Sequence, residues 1–449
     1  MRNDRTDADA FIEAASVPLG TSHASGTLDD ANAMLAARPD LARLTIHAAA
    51  VGGDDEAVRR FIAADPAGAI ATGGPRGWNA LTYLCFSRYL RLDRSRSGAF
   101  VRAATALLDA GADPNSAWFD ETHQPTPERE SVLYGAAGIA HDGALTRLLL
   151  ERGADPNDEE TPYHAPETYD HDALRALVES GKLSDDSVAT LLLRKTDWHD
   201  YDGIDYLLAH GADPNRRTRF GGRTALHHAL LRDNDIEILG LLIDRGADPA
   251  ARSDEGTAVA IAARRGRADF LDALQRRGAP PELDGIDALF AACATGHDVR
   301  GSLKAQSGLA AALAAQGGRA LAEFAGNGNT QGVGRLLDAG VPVTAPFEQG
   351  DGYWGIAPQS SALHVAAWRA RHDTVSLLIA RGAAVDARDK RGRTPLALAV
   401  KACVDSYWSG RRSPESVAAL LAAGAKTDDV TFPSGYDPVD DLLRAAGMR

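Results

Sequence analysis

Cysteine is nearly missing from this chain: three in 449 residues, Cys85, Cys293 and Cys403, with no CxxC spacing among them. An odd number of distant thiols excludes a disulfide scaffold, and their spacing offers no thiolate zinc site. Aromatic residues are scarce at 6%, and methionine occurs three times. No stretch approaches the roughly 18 apolar residues that a membrane-spanning helix needs. The N-terminal Met1-Arg2-Asn3-Asp4-Arg5 leads into no apolar segment of the kind that opens a secretory signal. Positive charge is also in deficit, with 48 Lys and Arg against 62 Asp and Glu, for a net charge of −14. A nucleic-acid binder needs a basic surface to displace counterions, so neither nucleic acid nor an anionic membrane is an expected partner. There is no Gly-x-x-x-x-Gly-Lys-Ser/Thr loop, Gly-x-Ser-x-Gly elbow or dinucleotide fingerprint in its proper setting. These absences point to a reducing, cytoplasmic setting, with no cofactor and no metal expected.

Alanine and leucine, the strongest helix formers, dominate what is present. A leucine pair followed by Gly-Ala-Asp recurs, as in Leu107-Leu108-Asp109-Ala110-Gly111-Ala112-Asp113-Pro114-Asn115 and Leu148–Asn157. It returns at Leu207–Asn215 and Leu241–Pro249, with weaker copies ending at Gly278, Gly340, Gly382 and Gly424. Each phrase reads as a helix C-terminus, where Gly takes the left-handed position and Pro stops the helix. Upstream lies an Ala-rich helix opened by a Thr/Ser-x-Leu phrase, clearest at Thr224-Ala225-Leu226-His227, Ser361-Ala362-Leu363-His364 and Thr394-Pro395-Leu396. Thr or Ser caps such a helix, and Pro suits its first turn.

This combination resembles the ankyrin-repeat family across nearly the whole chain. Gly246 to Gly278 is 32 residues, near that family's period of about 33. Gly278 to Gly340 is 62, two slightly short repeats, and Gly153 to Gly211 is 58, two repeats of which the first is degraded. The resemblance implies an all-α ankyrin-repeat solenoid of about twelve helix–turn–helix units with inserted loops. Residues 1–72 read as degenerate capping repeats, 73–427 as repeats with insertions, and 428–449 as a C-terminal cap, with no linker long enough to separate domains. The first pair is expected near Ala8–Ala15 and Leu28–Ala37, with Gly20–Gly26 a loop between them. The phrases Gly73–Leu90 and Ala402–Trp408 are further similar to a subset of bacterial ankyrin proteins to which no activity attaches. The resemblance also implies that His47, His227 and His364 bond loop backbone.

Function has to be sought where the chain departs from that pattern. An arginine-rich insertion, Ser87 to Phe100, and an extension beyond Ala399 both read as lengthening a first helix toward the family's concave face. They carry Arg88, Tyr89, Asp405, Tyr407 and Trp408. Aromatics beside arginines suit anionic or planar partners by stacking and forked hydrogen bonds, although such residues equally serve as solvated flaps. The degraded repeats bring His171, Trp198 and His199 among carboxylates, but no HxxxH or HExxH spacing specifies a metal site or a base. Trp78, Trp118 and Trp354, with Tyr353, fall in finger loops, either as exposed anchors or folded back on themselves. Arg216-Arg217-Thr218-Arg219 and Lys390-Arg391-Gly392-Arg393 could steer an acidic partner.

The first reading is therefore a non-catalytic scaffold that holds a protein partner through concave face and finger loops, an acidic one where the basic clusters do the steering. The alternative is an enzyme or small-ligand binder whose cleft gathers Tyr83, Arg88, Tyr134, His171, His199, Asp405 and Tyr407. A third, an effector or toxin-neutralising factor, finds no export signal in its support.

Overall fold

A computed structural model describes residues 4–18, 26–280, 282–406 and 409–449. The chain resolves into two compact units, Met1–Asp248 and Pro249–Arg449. That division falls inside the 73–427 segment, in the turn of the Gly246-Ala247-Asp248-Pro249 phrase. The expected loop, up to position 25, lies outside the described residues, as do Tyr407 and Trp408.

In the first unit helices run in antiparallel pairs: α1 (Asp4–Ala15) with α2 (Asp29–Ala37), then α3 (Ile46–Gly52) with α4 (Asp55–Ala64). Next come α5 (Ala80–Cys85), α6 (Arg88–Leu92) and α7 (Ser97–Asp109), then α8 (Val132–Tyr134), prolonged by a π turn to Ile139, with α9 (Gly143–Glu151). The series ends with α10 (Glu160–His164) and α11 (Asp172–Glu179), α12 (Asp185–Asp197) and α13 (Tyr201–Ala209), and α14 (Ala225–Leu231) and α15 (Ile236–Asp244). First helices pack on first helices, as α3 on α5 and α12 on α10 and α14, while second helices stack as α4, α7, α9 and α11. Two antiparallel hairpins stand in the fingers, β1 (Thr72–Gly73) with β2 (Trp78–Asn79), and β3 (Ala117–Asp120) with β4 (Glu128–Ser131).

The second unit opens with the hairpin β5 (Arg252–Ser253) and β6 (Gly256–Thr257) and the pair α16 (Ala258–Arg264) and α17 (Ala268–Arg276). It continues with α18 (Gly285–Ala294), α19 (Arg300–Ala305), α20 (Ser307–Asn327) and α21 (Thr330–Asp338). The hairpin β7 (Pro346–Phe347) and β8 (Ser360–Ser361) precedes α22 (Ala362–Trp368) and α23 (His372–Ala380), α24 (Pro395–Val404) and α25 (Glu415–Ala422), and a final α26 (Asp437–Ala445). The step from Gly278 to Gly340 does not hold two regular pairs. Helix α19 buries nothing, so α18 lacks a proper second helix and packs instead on α16, α17, α20 and α21.

The repeat phrases explain this architecture locally. Ser and Thr cap the first helices, as Thr257 accepts from Ala260 N and Thr394 from Ala397 N. Asp and Asn cap the second, as Asp142 accepts from Leu145 N and Asp235 from Ile238 N. Each cap satisfies an amide that the helix leaves unpaired. Gly211 sits at φ 93°, which only glycine adopts without strain. Gly266, at φ 69°, is held by close approach as well, since a Cβ there would come within 2.6 Å of the Phe324 ring.

The Asn of Gly-Ala-Asp-Pro-Asn does a separate job. Asn215 donates to Gly246 O at 2.8 Å and accepts from Asp248 N at 2.7 Å, and Asn115 spans Gly153 O and Asp155 N in the same way. One side-chain amide thereby clips each turn to the next. His364, only 1% exposed, works at the other end of the pair. Its Nε2 points at Ala387 O and Arg393 O, at 3.0 and 3.1 Å, and must donate. Nδ1 therefore accepts, from Ser361 N at 3.1 Å. Burial holds this imidazole below its ordinary value of 6.5. As pH falls below 6.5 the unfolded chain takes up the proton first, so the histidine's contribution is full above that value and declines beneath it. H364A is expected to cost about 1–3 kcal/mol in chemical denaturation and to flatten the loss of stability as pH drops below 6.5.

Candidate functional site

The fingers of the third and fourth pairs bring several expected residues into one aromatic cluster. Trp78 on β2 stacks on Trp118 on β3, centroids 5.3 Å apart and planes inclined by 26°. Tyr83 and Phe86 lie 5.1 and 5.8 Å from Trp78, and Phe86 meets Tyr134 edge-on at 5.9 Å. Trp78 is 8% exposed and Tyr83 is fully buried. Tyr83 donates to Gly73 O at 3.0 Å and accepts from Arg76 N at 2.9 Å. These rings fill the finger rather than project from it.

The arginine-rich insertion does not lengthen α5. The helix ends at Cys85, and Ser87 caps a separate α6 by accepting from Tyr89 N at 3.1 Å. Arg88 donates to Ala14 O at 2.9 Å, and Tyr89 donates to Asn32 Oδ1 at 2.8 Å beneath the Arg96 guanidinium. Its polar groups fasten the first pair, so the insertion is a covering flap.

Beyond the aromatic cluster, polar side chains replace the usual Ala and Leu on successive first helices. Glu128 and Glu130 alternate along β4 and so share a face. Trp118 and Asp120 oppose Glu130 and Glu128 across the hairpin. Glu160, in the first turn of α10, offers a carboxylate oxygen within 4.8 Å of one from each of these glutamates. Burial, then the charges of Glu160 and Glu128, push the Glu130 carboxyl up to about 8. His164, one turn along α10, lies 3.1 Å from Glu160 and 3.2 Å from Glu167, and its ring packs on Tyr134 at 5.1 Å. Burial opposes its charge, but the two glutamates outweigh burial and raise it to about 9. It is a cation between two carboxylates.

The ladder continues through Arg194 on α12, which bonds Glu167 at 2.5 Å and lies 4.0 Å over the Tyr163 ring. Arg194 also bonds Asp197, which accepts from His228 Nε2 at 2.9 Å and Arg232 Nε at 2.5 Å. Burial works against the Asp197 charge, yet the His228 bond and the two arginines hold its carboxyl well below the usual range. Four first helices, α8, α10, α12 and α14, are thus linked side chain to side chain.

The remaining expected residues go elsewhere. His171 bonds Asp200 at 2.7 Å, and the fully buried Lys195 donates to the same carboxylate and to Thr168 O. Trp198 and His199 occupy the turn after α12, where Trp198 O accepts from Tyr169 and His199 takes a left-handed φ of 50°. In the second unit Trp354 is 7% exposed, lies among Phe347, Ile356, Trp368 and Leu398, and accepts through its carbonyl from Trp368 Nε1 at 2.6 Å. Its role is core filling. Tyr353 beside it is exposed, and Asp405 pairs with Lys401 one turn back on α24. Within the first unit Tyr83 and Tyr134 share the aromatic cluster through Trp78 and Phe86, whereas Arg88, His171 and His199 each lie in surroundings of their own. The ladder's carboxylates and arginines are not among the expected residues: their signal in the sequence is the Glu128-x-Glu130 alternation, the second histidine at 228 and the charges at the end of α12. Removing Asp197 takes one of two carboxylates from Arg194 and the acceptor shared by His228 and Arg232, so D197A is expected to lose about 1–3 kcal/mol by urea denaturation. D202A, on an exposed helix start, is expected to change stability by about 0.5 kcal/mol or less.

Two family models match the chain, one for ankyrin repeats in many copies over residues 192–242 and one for the ankyrin repeat over residues 359–390. The first covers α12 to α15 and the second the finger and pair of α22 and α23. No curated protein matches the chain. Among solved structures, the crystal structure of the human ASB11 ankyrin repeat domain is 18% identical, with 57% of this chain and 98% of that one covered, at a TM-score of 0.28. With the capped and clipped helix pairs of both units, the two matches place the chain in its family: it is an ankyrin-repeat protein.

Proposed function

We propose that this chain is a non-catalytic scaffold that holds a protein partner along the side lined by its finger hairpins and first helices. Ankyrin repeats generally are protein-interaction scaffolds. The observation that carries the finer reading is the β3–β4 finger. Phe119 stands 55% exposed on it, while at its base the Trp118 indole N–H and a Glu130 carboxylate oxygen are buried without hydrogen-bond partners. Buried polar groups are normally paired, and each orphan costs about 1–3 kcal/mol. An exposed aromatic above unsatisfied groups is the chemistry of a binding hot spot. Tyr353 offers a comparable anchor in the second unit.

The acidic-partner expectation retains Lys390 and Arg391, which are exposed. Arg216 and Arg219 are already taken by Asp186 and Glu159. A small-ligand or catalytic role has less support. Within the first unit Arg88, His171 and His199 keep separate partners, and a groove of about 320 Å³ on α11 to α13, lined by Val178, Leu183, Val188, Leu207 and His210, contains none of the candidate residues. A cytoplasmic setting is supported by three free, buried cysteines. Among the described residues no helix is long and apolar enough to cross a membrane. A bacterial setting rests on the phrases at 73–90 and 402–408 alone.

The test is photo-crosslinking in cell extract with a reactive phenylalanine analogue at position 119 or at Tyr201, which is 46% exposed on a second helix. A defined protein is expected to crosslink from position 119 and not from 201. Equal crosslinking from both, or crosslinking from 201 alone, contradicts the reading.

A further inference from the structure

Three carboxylates close together need a reason. Glu128 and Glu130 come from one face of β4, whereas Glu160 comes from α10 of the following pair, and one oxygen from each lies within 4.8 Å of the others. Two of the three lie against a histidine. Glu160 is 3.1 Å from His164, and Glu128 is 3.3 Å from His123. Glu130 does not: it is 7% exposed, it feels the His164 charge only from a distance, its side chain makes no ion pair among the described residues, and its Oε2 is buried with no hydrogen-bond partner. A buried carboxyl with no partner keeps its proton until something pairs with its charge. A cation drawn by all three acids is an occupant that would take that proton's place.

The donor set selects among cations. Calcium sits about 2.3–2.6 Å from oxygen ligands, so oxygens up to about 4.6–5.2 Å apart can touch one ion, in a flexible shell that three carboxylates from two elements can supply. Magnesium demands a near-ideal octahedron at about 2.0–2.1 Å and gives up its waters reluctantly. Zinc prefers sites with thiolate or imidazole, and both nitrogens of His164 are turned toward glutamates.

We propose that Glu128, Glu130 and Glu160 form a binding site for a hard divalent cation of calcium size, which clips the β3–β4 finger to the first helix of the next pair. Water completes the coordination. The ion joins two repeats beside the Ser131–Asp158 bond, and it fixes β4, and through it the paired β3 that carries Trp118 and Phe119, against α10. The cation thus sets the order of the finger, whatever partner that finger meets.

The experiment uses the full chain stripped with a chelator, with calcium and magnesium chlorides titrated by calorimetry and followed in parallel by thermal melting. The expected result is one calcium ion bound per chain, with a raised melting temperature and a weaker response to magnesium. E130Q preserves shape and replaces a buried carboxyl that has no cation to pair with in chelator, so the variant is expected to fold there with an unchanged or higher melting temperature. Its calcium affinity is expected to fall at least about tenfold, while E121Q, an exposed neighbour in the same hairpin, binds as the native chain does. Absence of calcium binding at millimolar concentration, or binding by E130Q as tight as the native protein's, overturns the proposal.

Discussion

No helix pair in this protein can cover its own apolar surface, and that constraint governs everything else. A pair such as α12 and α13 exposes leucines on two flanks, and Leu191, Leu192, Leu193, Ile204 and Leu207 become buried only because α10 and α14 or α15 lie alongside. Stability therefore resides in the interfaces between neighbours, as expected of a quasi-one-dimensional stack. The asparagine clips and histidine bonds serve the same interface from its two ends. They tie loop backbone of one repeat to the next, where an unpaired carbonyl would otherwise be left.

Once caps, clips and stacking have satisfied the backbone, the first helices are free to carry side chains that stacking alone does not require. The line from Glu128 to Arg232 uses that freedom. Buried ion pairs contribute little net stability against well-packed apolar residues of the same size, so a ladder of glutamates, aspartate, arginines and histidines across four helices is not what stacking alone would select. It concentrates charge of both signs on one side of the first unit, next to a finger whose aromatic tip faces solvent. That juxtaposition separates this surface from the second-helix side, where ion pairs between repeats such as Arg147 with Glu179 are exposed.

The parts legible in the sequence are those encoded within a repeat. Gly-Ala-Asp-Pro-Asn marks helix ends wherever it occurs, and even the weakly marked first pair and the C-terminal helix lie within a few residues of where the sequence puts them. What escapes is encoded between repeats. Glu130 and Glu160 are thirty positions apart and meet only because successive pairs stack. Loop aromatics stay ambiguous for a related reason: Trp78 and Trp354 sit in finger loops, and of the two readings open to them it is burial by the folded-back finger that holds. Arg88 and Tyr89 look like a projecting insertion because their partners, Ala14 and Asn32, lie in a pair more than fifty residues earlier. The irregular stretch from α18 to α20 keeps the spacing of two repeats while losing a functional second helix, which spacing alone does not reveal.

Nearest-neighbour stacking makes a direct claim about how damage spreads. Leu207, 1% exposed in α13, can be replaced by alanine and native-state hydrogen exchange followed helix by helix through the first unit. Exchange is expected to quicken in α12 and α13, then in α10, α14 and α15, and to fade toward α3 and α4. A uniform rise across the whole unit would reveal a single cooperative core and contradict the account.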